Sequence, residues 1–203
     1  MDNNTGNNPA DRHLVDKVLS GDTHSYGLII KNTEKLIAQI IFKMISNPED
    51  RKDIAQDIYL KAYKNLSSFQ FHSKLSTWIA RIGYNTCTDY LRKKKTVFYG
   101  NIHEDYETGG DILDKLNNFT LYEDSTTNTM LQQKEHAVII KSELEKLPPL
   151  YKTLISLYHQ EELSYEELGQ VTGLPAGTIK NYLFRARRLL KNNLLLNYKK
   201  EDL

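Results

Sequence analysis

The chain has 203 residues, 39% of them hydrophobic and 26% charged, with a formal net charge of +1; this is the composition of an ordinary soluble globular protein with room for one large domain or two small ones. No apolar run is long enough to span a bilayer, and a single cysteine, Cys87, excludes an intrachain disulfide and fits a reducing cytosol. The near-neutral charge matters most: a protein that held DNA alone through its phosphates would be more basic, so either this chain does not bind DNA or its basic faces are offset by an acidic part and it relies on a partner.

Residues 1–10 read as a disordered tail without the basic-then-apolar layout of a signal peptide. Residues 11–20 suit a short helix closed by Gly21. Residues 23–46 carry Tyr26, Ile29, Ile30, Leu36, Ile37, Ile40, Ile41, Met44 and Ile45 at i, i+3, i+4, i+7 spacing, which predicts a long helix. Asn47-Pro48 breaks it, and Pro48 can occupy the first position of the next helix. That helix, over 49–66, buries Ile54, Ile58, Tyr59 and Ala62 and turns Asp53, Gln56, Asp57 and Lys61 outward. Asp53 and Asp57 lie four apart on one face with Gln56 beside them, a pattern that a solvated surface also produces. Residues 67–76 form a loop holding Phe69 and Phe71. A fourth helix over 77–95 buries Trp78, Ile79, Ile82, Cys87, Tyr90 and Leu91. It ends in Arg92-Lys93-Lys94-Lys95, a run that suits either the helix dipole or a phosphate. No segment has a strand's period, so residues 11–95 make a first all-α domain.

Residues 96–130 change character: Asn, Thr, Gly and Asp abound, and seven acids up to Asp124 face one base, Lys115. This predicts a flexible acidic linker that offsets the basic helices. Helices resume over 131–146 and 149–160, separated by Pro148-Pro149, and a second small domain covers 131–196. Its last stretch reads as a helix-turn-helix. Ser164 and Glu167 have capping-box spacing. Gly173 permits positive φ, and Pro175 biases Leu174 away from helix. A second helix over 176–196 has Ile179, Leu183, Ala186 and Leu190 inward, and no acid between Ala176 and Lys191. A short glycine-containing turn leading into a basic helix suits the DNA major groove; an ordinary helical hairpin with a solvated basic face has the same pattern.

Enzymatic signals are absent. There is no glycine-rich phosphate loop, no metal-spaced Cys/His cluster and no nucleophile elbow. The six histidines are scattered, and Cys87 lies among apolar neighbours, as a small core thiol does. The expectation is a non-enzyme with no cofactor and no metal.

Two blocks carry a family resemblance. The segments DIAQDIYLKAYKNL and LSTWIARIGYNTCTDYLRKKK resemble region two of bacterial sigma factors, and LPPLYKTLISLYHQEELSYEELGQVTGLPAGTIKNYLFRARRLL resembles region four. With no domain between them, the layout is similar to the extracytoplasmic-function (ECF) group. The resemblance implies a cytoplasmic subunit that gives core RNA polymerase its promoter specificity and opens the DNA locally. Region two would dock on the β′ clamp helices through Asp53, Gln56 and Asp57. It would meet the minus-ten element through Phe69, Phe71, Leu75, Asn85, Arg92 and Lys93, with the loop capturing a flipped base; Leu75 stands where many members have Phe. Trp78 matches the family tryptophan, though its spacing equally fits core packing. Region four would bind the β flap and read the minus-thirty-five element through Lys180, Asn181, Phe184 and Arg185, with Arg187 and Arg188 on phosphates. Lys and Arg suit guanine edges, Asn suits adenine, and Phe packs on a thymine methyl. An anti-sigma factor is the further implied partner, with no direct membrane insertion. Alternatives are a stand-alone helix-turn-helix regulator, and a helical interaction protein that sequesters a partner through the surface spanning residues 26–45.

Overall fold

In a computed structural model of the protein, the described residues are 8–93 and 130–197. They form eight α-helices and a 3₁₀ turn, with no strand among the described residues. The helices are α1 (Pro9–Leu19), α2 (Thr23–Met44), α3 (Pro48–Asn65), α4 (Leu75–Lys93), α5 (Met130–Glu145), α6 (Pro149–His159), α7 (Tyr165–Thr172) and α8 (Ala176–Asn197); the turn is Leu66–Ser68. The all-α expectation holds. Most of the expected tail, nearly all of the acidic linker, and Lys94 and Lys95 of the basic run lie outside the described residues.

Local chemistry sets the helix starts. Asn8 accepts from the Ala10 N–H at 3.1 Å, and Pro9 occupies N1, so α1 begins two residues earlier than the sequence pattern suggests. Asp22 caps α2, accepting from the His24 N–H at 2.9 Å and the Ser25 hydroxyl at 2.7 Å. Asn47 caps α3, with Pro48 at its first position. Helix α4 has its cap partner elsewhere: the Leu75 N–H donates to the Asp11 carboxylate of α1 at 3.2 Å. A cap residue 64 positions away leaves no local signal, which is why the pattern places this helix start at Thr77.

Helix α2 is the axis of the molecule and packs against α1, α3, α4 and α6. On one side its Ile29, Ile37, Ile40 and Ile41 meet Ile54, Ile58 and Ala62 of α3 and Ile79, Ala80 and Leu91 of α4, all buried. Gly83 lets the three helices close: a Cβ there would stand 3.3 Å from Ile37 Cδ1 and 3.6 Å from Ile58 Cδ1. Cys87 is fully buried, and burial pushes its thiol up to about 12, so it packs as an inert core residue. On the other side of α2 lies α6, whose Leu150, Leu154 and Leu157 are at most 1% exposed. That helix is apolar around much of its girth because α2 covers one side and α7 and α8 the other.

The core at the α2–α3–α4 junction fixes an energetic contrast. Ile58→Ala, at 0% exposure, is expected to destabilise the fold by about 2–5 kcal/mol. Leu60→Ala, two residues on but half exposed, should stay within about 0.5 kcal/mol. Urea denaturation of both variants measures the difference; equal losses would show that α3 packs by another face.

Candidate nucleic-acid interface

The helix-turn-helix forms as its residues dictate. The Glu167 N–H donates to Ser164 Oγ at 3.2 Å and the Ser164 N–H to Glu167 Oε2 at 2.9 Å, a complete capping box. Gly173 closes α7 at φ 74°, where only glycine sits without penalty, and its N–H donates to the Gly169 carbonyl at 2.8 Å. Gly169 brings the turn close: a Cβ there would meet the Leu174 carbonyl at 3.3 Å.

In α8, Ile179, Leu183 and Ala186 are buried. At 100° per residue, Lys180, Asn181, Phe184, Arg185, Arg187 and Arg188 span an arc of about 160° on the opposite side. Lys180, Asn181 and Arg188 are exposed, while Phe184, Arg185 and Arg187 are half-buried. The arc is a cationic strip backed by core, the arrangement that presents side chains to a groove.

The first half contributes a second surface. Phe69 is 7% exposed and stacks on Phe71 (centroids 4.6 Å apart) and Trp78 (5.2 Å). Phe71 adopts φ 58°, a left-handed conformation uncommon for a bulky residue, and the Arg12 guanidinium of α1 lies over its ring at 4.5 Å. The loop is therefore held from both ends by α1, through Asp11 and Arg12. Beside it opens a cleft of about 290 Å³ lined by Phe69, Gln70, His72, Trp78, Arg81 and Gln170, among others.

The structure sorts the expected minus-ten residues. Leu75 is 3% exposed, in the core at the start of α4, and Phe69 is nearly as deep; both shape the loop from beneath. Phe71 is half-buried, whereas Asn85, Arg92 and Lys93 are exposed along α4. Arg92 pairs with Asp89 at 3.4 Å. Trp78 is half-buried: it packs against the core, as its spacing suggests, and also lines the cleft. Arg81 was not legible from motif position. It stands three residues after Trp78 and four before Asn85, hence on their face of α4, and that spacing was the available signal.

Asp53, Gln56 and Asp57 are exposed on one face of α3. Asp57 pairs with Lys61 at 2.7 Å. Leu60, 51% exposed, lies on the same face; an apolar residue three and four positions after the polar pair was its signal.

The two halves meet along α2–α6 and α4–α7. Lys35, Gln39 and Lys43, spaced by four on α2, pair with Glu161 (3.2 Å), Gln160 (3.1 Å) and Glu145. Lys74 of the loop pairs with Glu167 Oε1 at 2.8 Å, so one carboxylate both caps α7 and holds the loop. Burial pushes Glu167 up, but its bonds to Lys74 and Ser164 outweigh this and hold it below the ordinary value. Glu145 is likewise raised by burial and brought below by Lys43 and then Lys152.

Comparisons with known proteins agree on both halves. The family model described as "Sigma-70 region 2" matches residues 29–97, and "Sigma-70, region 4" matches residues 137–190. The chain is 32% identical over 187 residues to the ECF RNA polymerase sigma factor SigW of Bacillus subtilis, covering 89% of this chain and 94% of that one. It is 29% identical to the ECF RNA polymerase sigma-E factor of Haemophilus influenzae, covering 91% and 95%. Among solved structures, CnrH in complex with the cytosolic domain of CnrY has a TM-score of 0.62 at 21% identity, covering 93% of this chain and 99% of that one. The sigma factor RpoE of Bartonella quintana, in complex with the anti-sigma factor NepR, has 0.57 at 21% identity, covering 85% and 98%. These two show the shared fold.

The depressed carboxylates give the contact between halves a pH dependence. A carboxylate whose folded value lies below its unfolded one adds stability that is complete above the unfolded value and lost as pH falls through the folded one. Acidification below 4.5, the ordinary glutamate value, should loosen the halves before the helices melt. Small-angle scattering with circular dichroism reads this as a rising radius of gyration at constant helicity; an unchanged radius down to helix loss would count against it.

Proposed function

The chain belongs to the extracytoplasmic-function RNA polymerase sigma factors, and on that premise we propose how its residues share the work of directing core polymerase to promoters. Helix α8 takes the minus-thirty-five element, with Lys180, Asn181, Phe184 and Arg185 at base edges and Arg187 and Arg188 on phosphates. The observation that carries this is the acid-free arc of α8, set opposite a stripe that is fully buried. The exposed α4 face of Arg81, Asn85, Arg92 and Lys93 takes the minus-ten element. The cleft beside Trp78 receives an extruded base, where stacking recovers the few kcal/mol (roughly) of unstacking. Asp53, Gln56, Asp57 and the adjacent Leu60 form the face for the β′ clamp helices, and the second half meets the β flap. Residues 11–95 and 131–196 act as the two grips, joined by the acidic segment 96–130. The protein works in the cytoplasm, without catalysis or cofactor of its own.

The two grips work together only once apart. The promoter elements are about 25 base pairs apart, which at 3.4 Å per step is about 85 Å. Helix α2, the joint-longest element with 22 residues, is about 33 Å long. With Gln170 of α7 lining the cleft beside Trp78, the packed arrangement is a resting state that core polymerase opens. An anti-sigma factor is the natural partner of that state, in keeping with the complexes in which CnrH and RpoE were solved.

Run-off transcription with core enzyme tests the function; no promoter-dependent transcript from any candidate promoter would falsify it. For the sites, Asn181→Ala or Arg185→Ala is expected to weaken recognition of the upstream element by about 1–3 kcal/mol while leaving core binding in a pull-down unchanged. Asp53→Lys should do the reverse, losing core binding with the helix-turn-helix intact. Loss of core binding by the α8 variants would overturn the division of labour.

A further inference from the structure

Two cations of the α8 arc do not stand free. Lys180 Nζ lies 5.7 Å from the centroid of the Tyr165 ring, and Arg187 Cζ lies 5.3 Å from that of Tyr158. The two tyrosines face each other, centroids 5.2 Å apart at 32°. His159 stands edge-on to Tyr158 at 4.9 Å and 90°, and its Nε2 is 3.3 Å from the Arg187 guanidinium. Lys180 and Arg187 are two helical turns apart, on one edge of α8. Tyr158 and Tyr165 belong to α6 and α7 and are half-buried, so they are anchored in the scaffold rather than on the recognition helix.

We propose that Tyr158 and Tyr165 form an aromatic platform, closed by His159, that positions Arg187 toward the DNA phosphate backbone and Lys180 toward the adjoining base edges. This rests on the reading of α8 as the upstream-element helix and deepens it by naming positioning residues outside that helix. Long basic side chains lose rotamer freedom when they bind a phosphate; a side chain already laid on a ring has given up part of that freedom. Stacking engages the face of a guanidinium; part of the Arg187 edge goes to His159 and to the Tyr165 hydroxyl, and the remaining edge N–H groups are left for an anion. His159 is kept below its ordinary pKa by partial desolvation and by the charge of Arg187, so its Nε2 can accept from the guanidinium instead of repelling it. Tyr158 and Tyr165 touch no base in this scheme and act only through the cations.

The test is a double-mutant cycle on the holoenzyme, with promoter affinity measured by fluorescence anisotropy at several salt concentrations. Y158L should weaken binding roughly two- to fivefold, and the slope of log K against log salt should become shallower by up to about 0.9, the contribution of one phosphate contact. Y158F should restore both, because it keeps the ring. In an R187A background, Y158L should have no further effect. R187K, which keeps the charge but lacks the planar face, should lose affinity in the wild-type background, and this decides the matter if Y158L does not fold. The Tyr165–Lys180 pair should show the same non-additive loss of affinity with Y165L and K180A. Additive effects in the cycle, failure of Y158F to rescue, or full affinity in R187K would each overturn the platform while leaving promoter recognition standing. Absence of promoter affinity in the wild-type holoenzyme would overturn the functional reading and the platform with it.

Discussion

The two-sided burial of α2 is the constraint on which the rest of this structure depends. One side of the helix is a hydrocarbon stripe, Ile29, Ile37, Ile40 and Ile41, that welds α3 and α4 into a single unit. The other side meets the second half through apolar packing on α6 and, along Lys35, Gln39 and Lys43, through hydrogen bonds and ion pairs. The two kinds of contact differ in strength and in reversibility. Apolar burial contributes about 25 cal/mol per Å² and cannot be exchanged for water without loss. The ion pairs are half-buried, with the Lys43 side chain 9% and that of Glu161 11% exposed, but each keeps one partner that water and salt reach. A helix built this way holds one half by hydrocarbon alone and the other by hydrocarbon and charge together.

The same logic explains how a near-neutral chain carries two basic surfaces. The acids that offset them are not confined to the segment 96–130. Glu145, Glu161 and Glu167 sit on the second half, where Lys43, Lys35 and Lys74 of the first half approach. Charge that is paired inside the molecule cannot steer it onto DNA, so the packed arrangement, like the sum of charges, reduces the field the chain presents.

Helix α1 shows how much of the surface proposed for the minus-ten element is set from a distance. Asp11 completes the start of α4, and Arg12 covers Phe71 in its left-handed conformation. A residue held there costs of the order of 1–2 kcal/mol and persists only if its surroundings over-determine it. Here the ring is pinned on one side by Phe69 and on the other by a guanidinium. The loop is thereby shaped by contacts within the chain itself.

Periodicity, proline breaks and cap residues were enough to read the helix order, the core stripes of α2, α3 and α8, the capping box at Ser164 and the exposed acidic face of α3. Each depends on residues within about two helical turns of one another, and local steric and hydrogen-bond rules act over that range. Leu75, Phe69, Arg81 and the two tyrosines beneath Lys180 and Arg187 were different. Leu75 has the spacing of a loop residue and is buried because α1 reaches across to it; Arg81 lines a cleft that Gln170 of the second half also lines. The sequence by itself determined which residues form helices and which faces are apolar. Only the tertiary structure decided which polar side chains meet across the halves, because those partners lie up to 121 positions apart and are brought together by the packing of α6 and α7 onto α2 and α4.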